Sequence, residues 1–212
     1  MNHQPTPQLN AFRSIVQQAG TLHAELSTLD TAIRDLDSIK TRMGDSRDES
    51  EVRKLLSELT RAEETVTVKR FREPRLRADL ADTVTQAEHA FQTAFTEVES
   101  ILTALAESSV QAFRDLLQFI QPDQDNPKTL KANDVTQAAV GPAALTQRLR
   151  NDLDNAWRAV GVVSGDPYQG VKGVNSALAI MDEVLATVPQ VHAATQRMSA
   201  ACEAFRKVFT KG

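Results

Sequence analysis

The chain has 212 residues and a formal net charge of −4, and its content of 41% hydrophobic and 25% charged residues is typical of a folded protein rather than a disordered one. Its single cysteine excludes an intramolecular disulfide, and no apolar run approaches the roughly 18 residues that a membrane-spanning helix needs. The first ten residues lack the basic segment and apolar core of a signal peptide, so we expect a cytoplasmic protein.

The first element that the sequence predicts is a long helix. It follows a polar tail, residues 1–8, which we expect to be disordered. From Leu9 to Met43 apolar residues recur at spacings of three and four, which places them on one face of a helix of about ten turns. Gly44 comes directly after the last of them, as glycine commonly does where a helix ends.

The next apolar pattern begins at Val52 and leads to a junction at Pro74. Glu73, which precedes the proline, is biased away from helical angles, so we predict that the second helix ends there. A third helix then carries apolar residues from Leu80 to Leu105 at alternating spacings of four and three, as in a coiled-coil seam, and reaches Pro122. The alternative is one bent helix of about 70 residues through Pro74, which would make the protein a three-rod hairpin.

The last third of the chain predicts two further helices. The linker 121–133 is rich in turn-forming residues, the fourth helix is interrupted or restarted at Gly141–Pro142, and a glycine-rich turn at 164–173 precedes a fifth helix with a kink at Pro189. Five helices with short connections predict an all-α fold: an elongated antiparallel helical bundle with coiled-coil-like seams, forming one domain over residues 9–212.

Residue patterns that carry catalysis or bind metals do not emerge from the sequence. None of the four histidines follows a glutamate by three residues, as a di-iron site between helices requires, and one cysteine cannot build a zinc cluster. Cys202 falls on the apolar seam of the last helix, which predicts a core residue. Gly165 and Gly170 have the spacing of a phosphate-binding loop, but Asp166 would repel phosphate and Lys172 lacks the Ser or Thr that should follow it. We therefore predict no catalytic residue, metal, cofactor or small-molecule substrate.

One stretch of sequence differs from the rest in charge. Residues 69–77, KRFREPRLR, here called the basic segment, have a formal charge of +4, so the other 203 residues sum to −8. Its arginines suit bidentate contact with phosphate or carboxylate, and its phenylalanine suits stacking on a base or entry into a membrane interface. The alternative interpretation is a solvated helix end. The candidate binding residues are Lys69, Arg70, Phe71, Arg72, Arg75 and Arg77.

Three functions are compatible with these observations. Long seams without a catalytic cluster favour a non-enzymatic interaction or scaffold protein, which binds a protein partner or forms a homodimer through its long helix. The second possibility is an accessory factor that binds nucleic acid or an anionic membrane through the basic segment. An enzyme with a site built from scattered polar residues is the least favoured, because no acid–base pair can be named. No motif in the sequence identifies a family.

Overall fold

The computed structural model describes residues 6–117, 132–161 and 166–209, and these residues are almost entirely helical. Helix α1 spans Pro7–Asp45, α2 spans Glu49–Leu117, α3 spans Ala132–Gly161 and α4 spans Pro167–Phe209. The described ranges contain no strand. The predicted all-α class is therefore confirmed for this part of the chain.

The helix count differs from the predicted five because the second and third predicted helices are one. Helix α2 continues through Pro74 for 69 residues, a length of about 100 Å at 1.5 Å per residue. A proline inside a helix removes one backbone hydrogen bond and crowds the preceding turn, which costs about 3 kcal/mol. Val66 and Leu80 are buried on either side of Pro74, and burying one such side chain contributes about 1.5–3 kcal/mol. Packing thus outweighs the local preference: the predicted boundary at Glu73 is wrong, and the alternative of a single helix of about 70 residues through Pro74 is confirmed.

The start of α1 lies slightly earlier than the sequence predicts. The Oγ1 atom of Thr6 accepts a hydrogen bond from the backbone N–H of Leu9 at 3.3 Å, which is the contact of an N-terminal helix cap. Pro7 occupies the first turn, where a missing N–H is harmless. Residues 7 and 8 are therefore helical and do not belong to the tail.

The C-terminal half also departs from the predicted boundaries. Helix α3 is continuous through Pro142, where the sequence predicted an interruption or restart, and α4 contains Pro189, where the sequence predicted a kink, within its span. Helix α4 begins at Pro167, so much of the predicted glycine-rich turn 164–173 is its first turns. The predicted linker 121–133 lies outside the described residues, except for its last two residues, which belong to α3.

The main hydrophobic core joins all four helices, and we call this part of the molecule the body. Its centre is Phe91 of α2, whose ring centroid lies 5.6 Å from that of Phe12 in α1 and 5.7 Å from that of Trp157 in α3. Helix α4 crosses the same core with a row of buried residues at helical spacing: Val174, Ala177, Met181, Val184, Val188 and Val191. Close-packed contacts of this kind fix the relative positions of the helices.

Beyond the body, α1 and α2 continue as an antiparallel two-helix hairpin over residues 27–75, which we call the arm. Arg42 forms an ion pair with Glu58 at 2.8 Å near its tip. Few residues of the arm are buried: Leu29, Leu55 and Val66. The two described cores that include residues of α3 or α4 contain no residue of the arm. The part of α2 that lies in the arm has 27 residues and extends for about 40 Å.

A buried polar contact joins α2 to α4 at the far end of the body. The hydroxyl oxygens of Ser109 and Thr195 lie 2.9 Å apart. Each also lies within hydrogen-bonding distance of a carbonyl one turn earlier in its own helix, on Leu105 and Val191. A hydroxyl has one proton, so one of the two donates across the interface and the other donates within its helix.

This contact predicts coupled effects on stability. Thr195→Val should lower the free energy of unfolding by about 1 kcal/mol, because one hydrogen bond is lost while Ser109 keeps the Leu105 carbonyl as its acceptor. Ser109→Ala should have a similar effect, and the double variant should lose less than the sum, because either single variant already removes the contact between the helices and the remaining hydroxyl-to-carbonyl bond within a helix contributes little. Urea denaturation of the four proteins measures this coupling. Strictly additive losses would show that the contact between the helices stabilises the protein no more than a hydroxyl-to-carbonyl bond within one helix.

None of the four described helices contains an apolar stretch that is long enough to cross a bilayer.

Candidate docking surface on the arm

The basic segment forms about two and a half turns of α2 where the arm leaves the body. The sequence suggested that this segment lies at a helix end, but α2 is continuous through it. Successive residues of a helix turn by about 100°, so the six candidate side chains cannot share one face. They divide into a pair directed at α1, one residue directed at the body, and an outward-facing group.

Lys69 and Arg72 are directed at α1. The Nζ atom of Lys69 donates hydrogen bonds to Thr28, at 2.7 Å to Oγ1 and 3.2 Å to the carbonyl oxygen. The Nη2 atom of Arg72 lies 3.8 Å from a carboxylate oxygen of Glu25. Both line a cleft of about 170 Å³ between the helices, with Glu25, Leu26, Thr28, Leu29, Glu73 and Leu76. These two cations therefore help to hold the arm together.

Arg77 connects the base of the arm to the body. Its guanidinium donates to Glu73 one turn earlier, at 2.7 and 2.8 Å, and lies 5.5 Å from the ring centroid of Tyr168 in α4. The His23 ring lies nearly perpendicular to the same tyrosine ring, with the two centroids 5.4 Å apart. The hydrogen bond to Glu73 raises the pKa of Arg77 above its ordinary value, so this residue stays charged.

Arg70, Phe71 and Arg75 form the outward-facing group. Phe71 is 88% exposed, more than any other large apolar side chain that the structure describes. Val68 lies one turn earlier and is 61% exposed. The Arg75 side chain is 89% exposed and reaches Asp79 only at 3.9 Å. Arg70 has no ion pair within the described ranges.

Val68 is the residue of this surface that sequence reasoning missed. It belongs to the β-branched stretch just before the segment, which predicts a weakened helix rather than a contact. The signal was present, since Phe71 follows Val68 by three residues and Arg75 follows Phe71 by four, the spacing of neighbours on one helical face. That spacing has meaning only if the helix continues through Pro74.

Two further clefts occur in the body. One, of about 250 Å³, lies where α3 ends against α2 and is lined by Glu88, Phe91, Gln92, Trp157, Val160 and Gly161. The other, of about 590 Å³, is a shallow, open depression between α1 and α2, lined by Gln8, Gln92, Thr93, Thr96, Glu97 and Ser100. Cys202 is buried, at its predicted core position, with Sγ 3.7 Å from the carbonyl oxygen of Ala112. The described residues contain no cluster of three side chains suited to hold a metal ion.

Comparisons with protein-family models, with curated proteins and with solved structures find no match to this chain. Inference about its function therefore rests on its own side chains. Among the described surfaces, the outward side of α2 in the arm carries the most exposed large apolar side chain, Phe71, together with exposed arginines.

Proposed function

We propose that the protein is a non-enzymatic helical interaction protein, which binds a protein partner or a second copy through the outward side of α2 in its arm. The observation that carries this proposal is Phe71, a phenylalanine 88% exposed on a continuous helix. Aromatic side chains are enriched in the buried centres of protein–protein interfaces, and a phenylalanine buries about 150–250 Å² when covered. Val68 beside it extends the apolar area.

The shape of the arm supports the same function. The part of α2 that lies in the arm presents one uninterrupted surface about 40 Å long, away from the core of the body. Such a surface suits another helix laid along it, anchored by apolar residues at spacings of three and four. We infer that the contact is coiled-coil-like, with α2 supplying one seam.

The charges on this surface indicate the chemistry of the bound helix. Arg70 and Arg75 flank Phe71, and neither has a strong ion pair within the described residues. A fitting helix therefore carries carboxylates beside an apolar residue. Complementary charge of this kind selects partners and their register more than it adds affinity.

Photocrosslinking at single positions tests the proposal. Phe71 is replaced by p-benzoylphenylalanine in one chain, and in a control chain Val110, which is 45% exposed and lies about 60 Å further along the same helix. Irradiation in cells should give a covalent adduct at position 71 and not at 110. The captured protein, once identified and purified, should bind at least about tenfold more weakly to the Phe71→Ala variant. Equal yields at both positions, or none at 71, would contradict the proposal.

A second candidate function is the binding of nucleic acid or an anionic membrane by the basic segment. Exposed Arg70, Phe71 and Arg75 support it, whereas the contacts of Lys69 and Arg77 with other residues reduce the charge that remains free. Fluorescence anisotropy with labelled single-stranded and duplex nucleic acid tests it, together with sedimentation of phosphatidylserine vesicles. Salt-sensitive binding that is lost in an R70E/R75E variant would support this function, and no binding at low salt would rule it out.

A further inference from the structure

Resting on the function proposed above, we infer that the occupant of this surface is a second copy of the chain. Its α2 packs antiparallel against α2 of the first copy, and the twofold axis passes between residues 69 and 70. The inference follows from the order of the exposed side chains along the helix and from their charges.

Eight exposed positions of α2 follow one another at alternating spacings of four and three, and we call them the outer face. They are Ser57, Arg61, Glu64, Val68, Phe71, Arg75, Ala78 and Asp82. This is the spacing of the two core positions in a coiled coil. The buried face of α2, which contains Leu55, Val66 and Leu80, points to α1, so the outer face forms a second seam on the opposite side of the same helix.

The outer face is complementary to itself when one copy is reversed. If Val68 meets the partner's Phe71, the same register brings Glu64 opposite the partner's Arg75. Twofold symmetry repeats both contacts, so the interface has an apolar centre flanked by two Glu–Arg pairs. The outermost positions also avoid like charges, since Arg61 meets the partner's Ala78 and Ser57 meets the partner's Asp82.

A parallel arrangement in register lacks this complementarity. It would place Glu64 opposite the partner's Glu64 and Arg75 opposite the partner's Arg75, and like charges across a helical seam are repulsive. The charges on the outer face therefore select the antiparallel dimer.

In the monomer, the charged side chains of the outer face remain available to pair with a second copy. Glu64 forms no ion pair within residues 6–117, 132–161 and 166–209, and Arg75 has only the 3.9 Å contact with Asp79. The arm also gains from pairing, because a lone two-helix hairpin buries few residues and helices are stabilised mainly by packing of their apolar faces. Helices α1 and α2 of the two copies together form a four-helix layer along residues 57–82 of α2, a stretch of 26 residues about 39 Å long that covers much of the arm and its base.

Charge reversal at the outer face tests the dimer and its register. Sedimentation velocity over a range of concentrations should show a dimer of the native chain. Glu64→Arg makes both flanking pairs Arg–Arg and Arg75→Glu makes both Glu–Glu, so each variant should raise the dimer dissociation constant at least about tenfold. The matched controls are Glu99→Arg and Arg114→Glu, exposed residues of α2 in the body, which should leave that constant unchanged.

Mixing the two variants gives the decisive result. A Glu64→Arg chain and an Arg75→Glu chain form two attractive pairs with each other, so the mixture should recover a heterodimer, and the E64R/R75E chain should recover a homodimer. A native chain that stays monomeric at high concentration would overturn the inference, and so would reversals that have no effect or that mixing does not rescue. If the chain is monomeric but position 71 still crosslinks to a different protein, the proposed function holds and only the second copy is excluded. No crosslinking at 71 removes both.

Discussion

Phe91→Ala is expected to lower the free energy of unfolding by about 3–5 kcal/mol. Phe91 is 1% exposed, and its ring packs against Phe12, Phe95 and Trp157 with centroid distances of 5.6–5.7 Å. These rings come from three helices and are held by separate backbones, so they cannot close together over the cavity that alanine would leave.

The same helix offers a matched control for this substitution. Phe71→Ala removes the same atoms twenty positions earlier, but from a side chain that is 88% exposed. We expect a change of less than about 0.5 kcal/mol, provided that the chain concentration is low enough for a monomer. Guanidinium denaturation followed by fluorescence of Trp157, the single tryptophan, which packs against Phe91, measures the unfolding of both variants. Similar losses at the two positions would contradict the burial described above.

Pro74→Ala is expected to raise the free energy of unfolding by about 1–3 kcal/mol. In the interior of a helix, alanine is favoured over proline by about 3 kcal/mol, and Pro74 is exposed, so its replacement removes little packing. Amide hydrogen exchange of peptides from residues 60–80 should slow in the variant, because the Arg70 carbonyl regains its acceptor role in the helix.

The sign of this change distinguishes a continuous helix from an interrupted one. If α2 were broken at Glu73, Pro74 would lie in a turn, and its replacement would destabilise the protein by about 0.4–1 kcal/mol through the greater freedom of the unfolded chain. Pro7→Ala is the control, since Pro7 lies in the first turn of α1, where proline is well tolerated. It should bring no comparable gain in stability or protection.

The candidate site was predictable in composition but not in arrangement. The sequence singles out six residues between Lys69 and Arg77 as a charged cluster. Which of them face solvent depends on the phase of an unbroken helix and on the position of α1 and α4 around it. Lys69 contacts Thr28 and Arg77 contacts Tyr168, residues far away in the sequence, and no local pattern indicates those contacts.

The sequence alone determined that this chain is helical, where α1 ends to within two residues, and that Cys202 belongs to the core, because the spacing of apolar residues along a helix is a local property. Tertiary structure decided that α2 passes through Pro74 and that Phe71 is left uncovered. A local preference of about 3 kcal/mol against a proline is smaller than the stabilisation from burying the residues on both sides of it, such as Val66 and Leu80. That stabilisation exists only once α1 and α4 have packed against α2.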